Sequence, residues 1–265
     1  MTAGSIVSGT VLLEAVADVA RLAGDIALGH FRPGIAVEWK SDGSPVTIAD
    51  RASERAAREW IERRFPDDGI LGEEQGETRG GSSRRWIVDP IDGTKSFVRG
   101  VPLWGTLVAV AEGSSVLAGA AYFPAVGELV AAAPAQGCWW NGASCRVSDV
   151  ASLSSATVLT TDERFPTSDS RREGWRTLAA RASISRTWGD CFGYLLVATG
   201  RAEAMVDAVA NPWDLAAILP IVQEAGGVFT DWSGAATAFG GSAIATNGSL
   251  ARVVRETLGA GASDA

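Results

Sequence analysis

The chain has 265 residues, of which 46% are hydrophobic and 20% charged, and its formal net charge is −8. This length suits one large domain or two small ones with a sizeable core, and the composition excludes extensive disorder. The negative charge argues against nucleic acid or an anionic membrane as the main partner, because both would repel the protein. An anionic substrate would need metal ions or a local positive field at its site.

The three cysteines and the N-terminal segment indicate the compartment. Cys138, Cys145 and Cys191 are odd in number and form no CxxC motif, so we expect free thiols in a reducing environment. Glu14 and Asp18 interrupt the apolar residues near the N-terminus, which therefore does not resemble a signal peptide. No apolar run reaches the roughly 18 residues of a membrane span. These features predict a cytoplasmic protein.

The first part of the chain predicts two helices. Apolar residues recur at helical spacing over 11–29 and predict an amphipathic helix. Thr47 is the predicted N-cap of a second helix that extends to about Phe65. Asp50, three residues after Thr47, completes a capping-box pattern.

Short apolar segments separated by Gly, Ser and Pro follow and predict strands. They are Ile70-Leu71, 86–88, 103–111, 116–122 and 128–132. Asn141-Gly142 is a hairpin turn signal. The predicted helices after it lie near 171–181, 190–199, 213–225 and 248–258, and the predicted strands near 203–207, 227–231 and 242–246. The polar stretch 160–175 predicts a surface loop, and Pro220 should kink the 213–225 helix.

The nonapeptide WIVDPIDGT predicts a buried strand that ends at two carboxylates. Asp89 should stand at the strand end, and Pro90 should stop the pairing because it lacks an N–H. Gly93 permits a tight turn, and Thr94 opens the next segment. Asp89 and Asp92 can then point into one pocket, where carboxylates suit Mg²⁺ and free N–H groups suit phosphate. The alternative is an ordinary Asp-rich turn.

Two further acidic segments lie at the ends of predicted elements. Glu73 and Glu74 follow a short predicted strand, although such a pair alone is typical of a solvated surface. Asn211 is a fitting N-cap, and Pro212 a fitting first residue, for the helix that follows. Asp214, at the third helical position, either completes this cap or offers a metal ligand.

These segments together resemble the inositol monophosphatase superfamily. The matching stretches are SDGSPVTIAD, ILGEEQGE, WIVDPIDGTKSF and NPWDLAAILPIVQEAGGVFTDWSG. They follow the order and spacing of the family from about residue 10 to 258. The resemblance implies one phosphatase domain over 1–265, with halves of roughly 1–145 and 146–260, and an α+β fold layered as an α-β-α-β-α sandwich. It also implies a homodimer.

The resemblance assigns up to three Mg²⁺ ions to each subunit. Glu73, Asp89 and the Ile91 carbonyl would hold one ion, and Asp89, Asp92 and Asp214 a second, while a third and weaker ion would share Glu73. Glu73 and Asp92 would also belong to the catalytic groups, and Asp92 would contact the substrate. Phosphate-ester hydrolysis needs positive charge on the phosphoryl oxygens, and metal ions supply it in an acidic protein.

Five other residues receive roles from the same resemblance. Thr94, supported by Asp50, would orient the attacking water. The backbone N–H groups of Gly93 and Thr94 would bind the phosphate. Lys40 and Glu74 would support the site electrostatically.

The substrate alcohol is indicated by weaker signals. The runs DPIDGTKSFVRGVPLW and NPWDLAAILPIVQEAGGVFTDWSG, with 188–190, look most like the histidinol-phosphate phosphatase branch. In that branch Arg186 and Asp190 would lie near the non-phosphate end of the substrate, where an acid suits an ammonium group; the alternative is a local Arg186–Asp190 ion pair. Asp207 would also contact the substrate, and it stands where inositol enzymes carry a longer Glu.

The interpretation is therefore an Mg²⁺-dependent phosphatase that hydrolyses histidinol phosphate in histidine biosynthesis. An inositol-1-phosphate phosphatase or a broad sugar phosphatase is the alternative, and nothing indicates the base site of a bisphosphate nucleotidase. A non-catalytic regulator on the same fold is the structural alternative. The complete acidic set counts against it, because a regulator has no need of every ligand.

Overall fold

The computed structural model describes residues 8–32, 34–41, 43–165 and 168–261. The elements of the first part are α1 (Gly9–His30), β1 (Glu38–Trp39), β2 (Pro45–Val46), α2 (Ile48–Arg64), β3 (Gly69–Gly72), β4 (Gly76–Thr78), β5 (Arg84–Asp92), α3 (Thr94–Phe97), β6 (Gly105–Glu112), β7 (Ser115–Phe123), β8 (Glu128–Ala133), β9 (Gly137–Trp140) and β10 (Ala143–Ser144). Residues 1–7 of the N-terminal segment, Asp42 of SDGSPVTIAD and 166–167 of the predicted 160–175 loop lie outside the described residues.

The elements of the second part follow a short 3₁₀ turn at Leu153–Ser155. They are β11 (Thr157–Thr160), α4 (Asp169–Arg181), β12 (Ile184–Arg186), α5 (Asp190–Ala198), β13 (Ala204–Asp207), α6 (Pro212–Leu215), α7 (Ile218–Glu224), β14 (Val228–Thr230), β15 (Ala243–Thr246) and α8 (Ala251–Leu258). The end of the predicted 160–175 loop is thus already helical, because Ser168 caps α4 through the N–H of Arg171.

Two sheets and three sets of helices form the layers. Within the described chain, the larger sheet has the order β10-β9-β8-β7-β6-β5-β3-β4, and only β3 and β5 pair in parallel. The smaller sheet has the order β12-β11-β13-β15-β14. Helices α1 and α2 pack on the outer face of the larger sheet, α5 and α7 between the sheets, and α4 and α8 beyond the smaller one. The predicted α-β-α-β-α sandwich is confirmed.

Local sequence patterns explain several element boundaries. Thr47 caps α2, and Asp50 Oδ2 accepts hydrogen bonds from the Thr47 N–H at 2.8 Å and the Thr47 hydroxyl at 2.6 Å, so the capping box is confirmed. Asn141 and Gly142 adopt φ values of 48° and 82° in the tight turn between β9 and β10. This positive-φ pair suits the twist of a two-residue hairpin.

The prediction that Pro90 stops the pairing holds only locally, because pairing resumes at Asp92. β5 continues to Asp92, with Asp89 opposite Leu107 and Asp92 opposite Gly105, and the register shifts between these two pairs. The shift places Pro90, which has no N–H, inside an irregularity where the regular ladder is already interrupted. Asp89 and Asp92, two of the four predicted metal carboxylates, therefore belong to one strand and flank its bulge.

The predicted 213–225 helix is divided into α6 and α7. Pro220 lies inside α7, and the division falls one turn earlier, at Ala216 and Ala217, whose backbone angles stay helical. Proline cannot bond the carbonyl four residues before it, which here belongs to Ala216. Gly226 adopts a φ of 82° just after the helix, at the predicted helix end.

Among the described residues, no helix is both long and apolar enough to cross a membrane. The cysteines are free thiols, and Cys138 on β9 faces Cys145, the residue after β10, with their sulfur atoms 3.3 Å apart.

Candidate active site

Three carboxylates from two parts of the fold meet at one point. Asp89 and Asp92 come from the bulged end of β5, and Asp214 comes from α6. Each offers an oxygen atom that lies within 4.8 Å of the others, with Asp89 buried and the other two half-buried. The structure thus brings together three of the four predicted metal carboxylates.

Backbone N–H groups hold each of these carboxylates. Asp89 Oδ1 accepts from the Ile91 N–H at 3.0 Å across the bulge. Asp92 Oδ2 accepts from the Cys191 N–H at 2.5 Å, at the start of α5. Asp214 Oδ2 accepts from the Asn211 N–H at 2.6 Å, which completes a capping box. Asp214 therefore both caps α6 and joins the cluster, so the two predicted alternatives are compatible.

The surroundings of the cluster disfavour the charged form of its carboxylates. Desolvation, followed by the charge of Glu73, raises the pKa of Asp89 well above its usual range. Desolvation, followed by the charge of Asp190, raises the pKa of Asp92 in the same way. Desolvation raises the pKa of Asp214 to about 6, although a backbone hydrogen bond opposes the shift. A bound cation would favour the ionised forms of all three groups.

Glu73 and Glu74 stand beside this cluster at the end of β3. The Glu73 N–H donates to the Val88 carbonyl at 3.2 Å, which keeps its backbone against β5. Lys40 Nζ contacts Glu73 Oε1 at 2.8 Å and Glu74 Oε1 at 2.6 Å. Burial raises the pKa of Glu74 to about 7 against the opposing effect of Lys40. Glu73, the fourth predicted carboxylate, thus adjoins Asp89 and is paired with a lysine.

The turn after Asp92 carries the predicted phosphate-binding groups. Gly93 adopts a φ of 88°, and a Cβ there would stand 2.9 Å from the Leu103 carbonyl oxygen, so glycine is required for both reasons. The Thr94 hydroxyl donates to the Ile91 carbonyl at 2.9 Å. This bond links the residue predicted to orient water to the carbonyl predicted to bind metal.

Asp50 is fully buried behind the site. Its Oδ2 atom is bound by Thr47, whereas its Oδ1 atom is without a hydrogen-bond partner among the described residues. The predicted contact of Asp50 with Thr94 is not among its hydrogen bonds, so its support of Thr94 stays a prediction. Burial raises the pKa of Asp50. An orphaned buried acceptor and an all-oxygen donor set fit a site built for a hydrated divalent cation.

A small acidic cavity of about 70 Å³ adjoins the cluster. Its lining consists of Asp92, Thr161, Asp190, Tyr194, Asp207, Val209, Ala210, Asp214 and Leu215. Asp190 adopts a φ of 51°, and its N–H donates to Thr161 Oγ1 at 2.8 Å. Its carboxylate forms no hydrogen bond or ion pair with the described residues, and its pKa rises to about 7, first through desolvation and then through the charge of Asp207.

Asp207 is buried at the back of this cavity and is held from both sides. Its Oδ2 atom accepts from the Tyr194 hydroxyl at 2.8 Å, and its Oδ1 atom from the Thr161 N–H at 3.2 Å. Sequence reasoning missed Thr161 and Tyr194. Tyr194 follows Asp190 by four residues on α5, a spacing that puts both on one helix face and offered a signal. Thr161 offered none, because its role depends on contacts between distant segments.

Arg186 lies apart from these groups. It ends the edge strand β12, donates to the Ser185 carbonyl at 2.7 Å, and holds its guanidinium 6.0 Å from the ring centre of Trp188. It does not line the cavity, and it makes no ion pair with Asp190 in the part of the chain that the structure describes. Its predicted role in substrate binding stays a prediction, and the geometry adds nothing in its favour.

Comparisons with known proteins identify the family of the chain. Residues 10–262 match the model of the inositol monophosphatase family. The chain is 40% identical to a histidinol-phosphatase of Chlorobaculum parvum over 95% of this chain and 98% of that one. It is also 40% identical to a histidinol-phosphatase of Mycobacterium tuberculosis over 85% and 88% of the two chains.

Solved structures share the fold of this chain. The crystal structure of the extragenic suppressor protein suhB from Bartonella henselae superposes with a TM-score of 0.87 at 29% identity, covering 93% of this chain and 98% of that one. The protein is accordingly a phosphoric monoester hydrolase. The chain belongs to the inositol monophosphatase family.

Proposed function

We propose that the protein is an Mg²⁺-dependent histidinol-phosphate phosphatase of histidine biosynthesis. The observation that carries the choice of substrate is the Asp190 carboxylate, which has no hydrogen-bond or ion-pair partner among the described residues and faces a small acidic cavity next to the metal carboxylates. Histidinol phosphate carries an ammonium group, and such a group would neutralise Asp190 while the phosphate occupies the neighbouring site. The two histidinol-phosphatase relatives support the same choice.

In this proposal the acidic cluster holds the metal ions. One ion would be held by Asp89, Asp92 and Asp214. Another would be held by Glu73, Asp89 and the Ile91 carbonyl, and a third would share Glu73. When bound, Mg²⁺ supplies positive charge for the phosphoryl oxygens and the leaving alkoxide. Bound Mg²⁺ would also favour the ionised carboxylates, and it would thereby oppose the increase in pKa that burial causes.

The polypeptide itself positions the phosphate and the water. The N–H groups of Gly93 and Thr94 lie in a turn next to the cluster and are available to the phosphate. The Thr94 hydroxyl donates a hydrogen bond to the Ile91 carbonyl, so its oxygen is left to accept a hydrogen bond from the attacking water and thereby orient it. Asp50 supports this arrangement from behind, and Lys40 limits the negative charge on Glu73 and Glu74.

A substrate comparison tests the proposal. Phosphate release should require Mg²⁺ and stop with a chelator. kcat/KM should be at least about tenfold higher for histidinol phosphate than for inositol 1-phosphate, because a charged hydrogen bond contributes about 1.5–3 kcal/mol. A higher kcat/KM for inositol 1-phosphate would favour the alternative, an inositol or broad sugar phosphatase, which family membership also supports.

A regulator on the same fold would show no Mg²⁺-dependent turnover with any of these esters.

We also propose that the protein is a cytoplasmic homodimer. Size-exclusion chromatography with light scattering tests the dimer, and a monomeric mass at micromolar protein would contradict it.

A further inference from the structure

Glu54 is a fully buried carboxylate that stands outside the acidic cluster. It lies on α2 and accepts three hydrogen bonds, from Arg58 Nε at 2.8 Å, the Glu74 N–H at 2.7 Å and the Gln75 N–H at 3.1 Å. Two of these three donors are backbone groups of the turn that follows Glu73. The buried charge of Glu54 is thus directed at a turn of the active site as well as at its arginine partner.

Arg58 binds the far end of the same turn. Its Nη1 atom donates to Thr78 Oγ1 at 3.1 Å and its Nη2 atom to the Gly76 carbonyl at 2.5 Å. Gly72 lets β3 end directly against the carboxylate, because a Cβ there would stand 2.2 Å from Glu54 Oε1. The Glu54–Arg58 pair therefore fixes both ends of the β3–β4 connection.

Glu73 lies between two anchors as a result. Its N–H is bound to the Val88 carbonyl of β5, and the next N–H, that of Glu74, is bound to Glu54. Between these anchors its carboxylate contacts Lys40, and the bond to Val88 keeps its backbone next to Asp89, the following residue of β5. A small rotation of the turn would move the Glu73 carboxylate away from Asp89.

Stability alone is a weak explanation for such a pair. Buried ion pairs often contribute no more than apolar side chains of the same volume, because desolvation opposes their attraction. Hydrogen bonds behind metal ligands, in contrast, are a recurrent way of orienting those ligands. We propose that Glu54 and Arg58 are positioning residues that hold Glu73 in the geometry needed for Mg²⁺. The inference rests on the proposed Mg²⁺-dependent function.

Glu54→Gln is the variant that tests this inference. Gln keeps the shape of Glu but replaces one acceptor oxygen by an NH₂ group and removes the charge that pairs with Arg58. Mg²⁺ is titrated calorimetrically into the metal-free protein, so that the readout does not depend on turnover. The dissociation constant for Mg²⁺ should rise roughly 10–100-fold, the usual effect of losing a partner of a metal ligand. KM for histidinol phosphate at saturating Mg²⁺ should change less.

Asp68→Asn is the matched control. Asp68 is also a buried carboxylate, and it accepts from Arg84 Nε at 3.0 Å just before the other end of β3. Both variants should lower the melting temperature, because each leaves an arginine without its buried partner. Only Glu54→Gln should weaken Mg²⁺ binding, since Asp68 touches no part of the turn at Glu73.

The outcomes separate the inference from the proposed function. Unchanged Mg²⁺ affinity in Glu54→Gln, or an equal loss in Asp68→Asn, overturns the inference alone. A wild-type protein that binds no Mg²⁺ overturns the proposed function and the inference with it. If Glu54→Gln does not fold, Arg58→Lys replaces it. Lysine keeps the charge but cannot bond Gly76 and Thr78 in a fork, so Mg²⁺ binding should again weaken.

Discussion

The two ends of β3 each adjoin buried acidic groups, but the groups differ in how their charge is balanced. Before the first residue of the strand, Asp68 receives hydrogen bonds from Arg84 at 3.0 Å and from the Trp86 indole at 3.1 Å. After the last residue, Glu73 lies beside Asp89, and desolvation raises the pKa of Asp89 well above its usual range. Protein donors thus satisfy the charge of Asp68. At the other end Lys40 pairs with Glu73 and Glu74, while the neighbouring cluster around Asp89 favours a cation from outside.

This difference gives a way to tell structural acids from functional ones. A buried carboxylate whose oxygens all meet protein donors stabilises the fold, and its removal leaves those donors unsatisfied. A cluster of carboxylates that repel one another destabilises the fold unless a ligand binds. Opposite effects on stability should therefore follow from mutating the two kinds of acid.

Asp92→Asn should have the largest effect on activity. Loss of a ligand shared by metal and substrate should lower kcat/KM by about 10³-fold, equivalent to about 4 kcal/mol of transition-state stabilisation. In a chelator, the same variant should melt at the wild-type temperature or above it, because one repelling charge is gone. Phosphate release and thermal unfolding measure the two effects. Near-wild-type turnover in Mg²⁺ would show that the metal assignment is wrong.

Asp68→Asn should lower the stability of the protein and leave its activity unchanged. Arg84 and Trp86 would keep their donors but lose a charged acceptor, so the free energy of unfolding should fall by about 2 kcal/mol. kcat should stay at the wild-type value. Chemical denaturation with and without Mg²⁺ measures the loss, and a variant as stable as the wild type would remove the contrast between the two ends of β3.

The metal-free protein should become more stable as the pH falls from neutrality. The folded-state pKa values of about 7 for Asp190 and about 6 for Asp214 lie above the unfolded value of 3.8. Between 3.8 and about 7 the folded state therefore binds more protons than the unfolded state, so stability rises as the pH falls through this window. The melting temperature in a chelator should rise by on the order of 10 °C between neutrality and the lower end of the window.

Bound Mg²⁺ should weaken that dependence, because it already compensates the carboxylates at neutral pH. Melting curves recorded with a chelator and with saturating Mg²⁺ over the same pH series make the comparison. A metal-free protein that loses stability steadily on acidification would contradict the assignment of these acids as uncompensated.

Tyr194→Phe should have a smaller and more selective effect. It removes the hydroxyl that holds Asp207 Oδ2, so the wall of the acidic cavity should loosen while the metal carboxylates stay in place. kcat/KM for histidinol phosphate should fall about fivefold, the value of one hydrogen bond near 1 kcal/mol, with little change for inositol 1-phosphate. Tyr122→Phe is the control, because the Tyr122 hydroxyl bonds Asp25 at 3.0 Å on the surface. Equal losses for both substrates would rule out a role in selectivity.

Structural features that depend on adjacent residues could be predicted from the sequence. The Thr47–Asp50 capping box and the Asn141-Gly142 turn depend on a few neighbouring residues, and both were predicted correctly. The layered fold followed from the resemblance of whole segments. The meeting of Asp89, Asp92 and Asp214 also agrees with that resemblance.

Features that depend on distant contacts could not be predicted. Proline usually ends pairing, but the register shift between Asp89 and Asp92 lets β5 continue past Pro90, and only the partner strand reveals this shift. Glu54 received no role from the sequence, because nothing near it along the chain shows that the backbone of Glu74 and Gln75 returns to it. The same holds for the roles of Thr161 and Tyr194.

The bulge in β5 has a consequence for how the whole molecule holds together. It aims Asp89 and Asp92 at Asp214, which belongs to α6 and lies far away along the chain. A cation at this point would act as a removable cross-link between the larger sheet and the helices beneath it. A ligand that binds only the folded state adds its binding free energy to stability. Depletion of the ion would therefore lower the stability of the protein as well as abolish its activity.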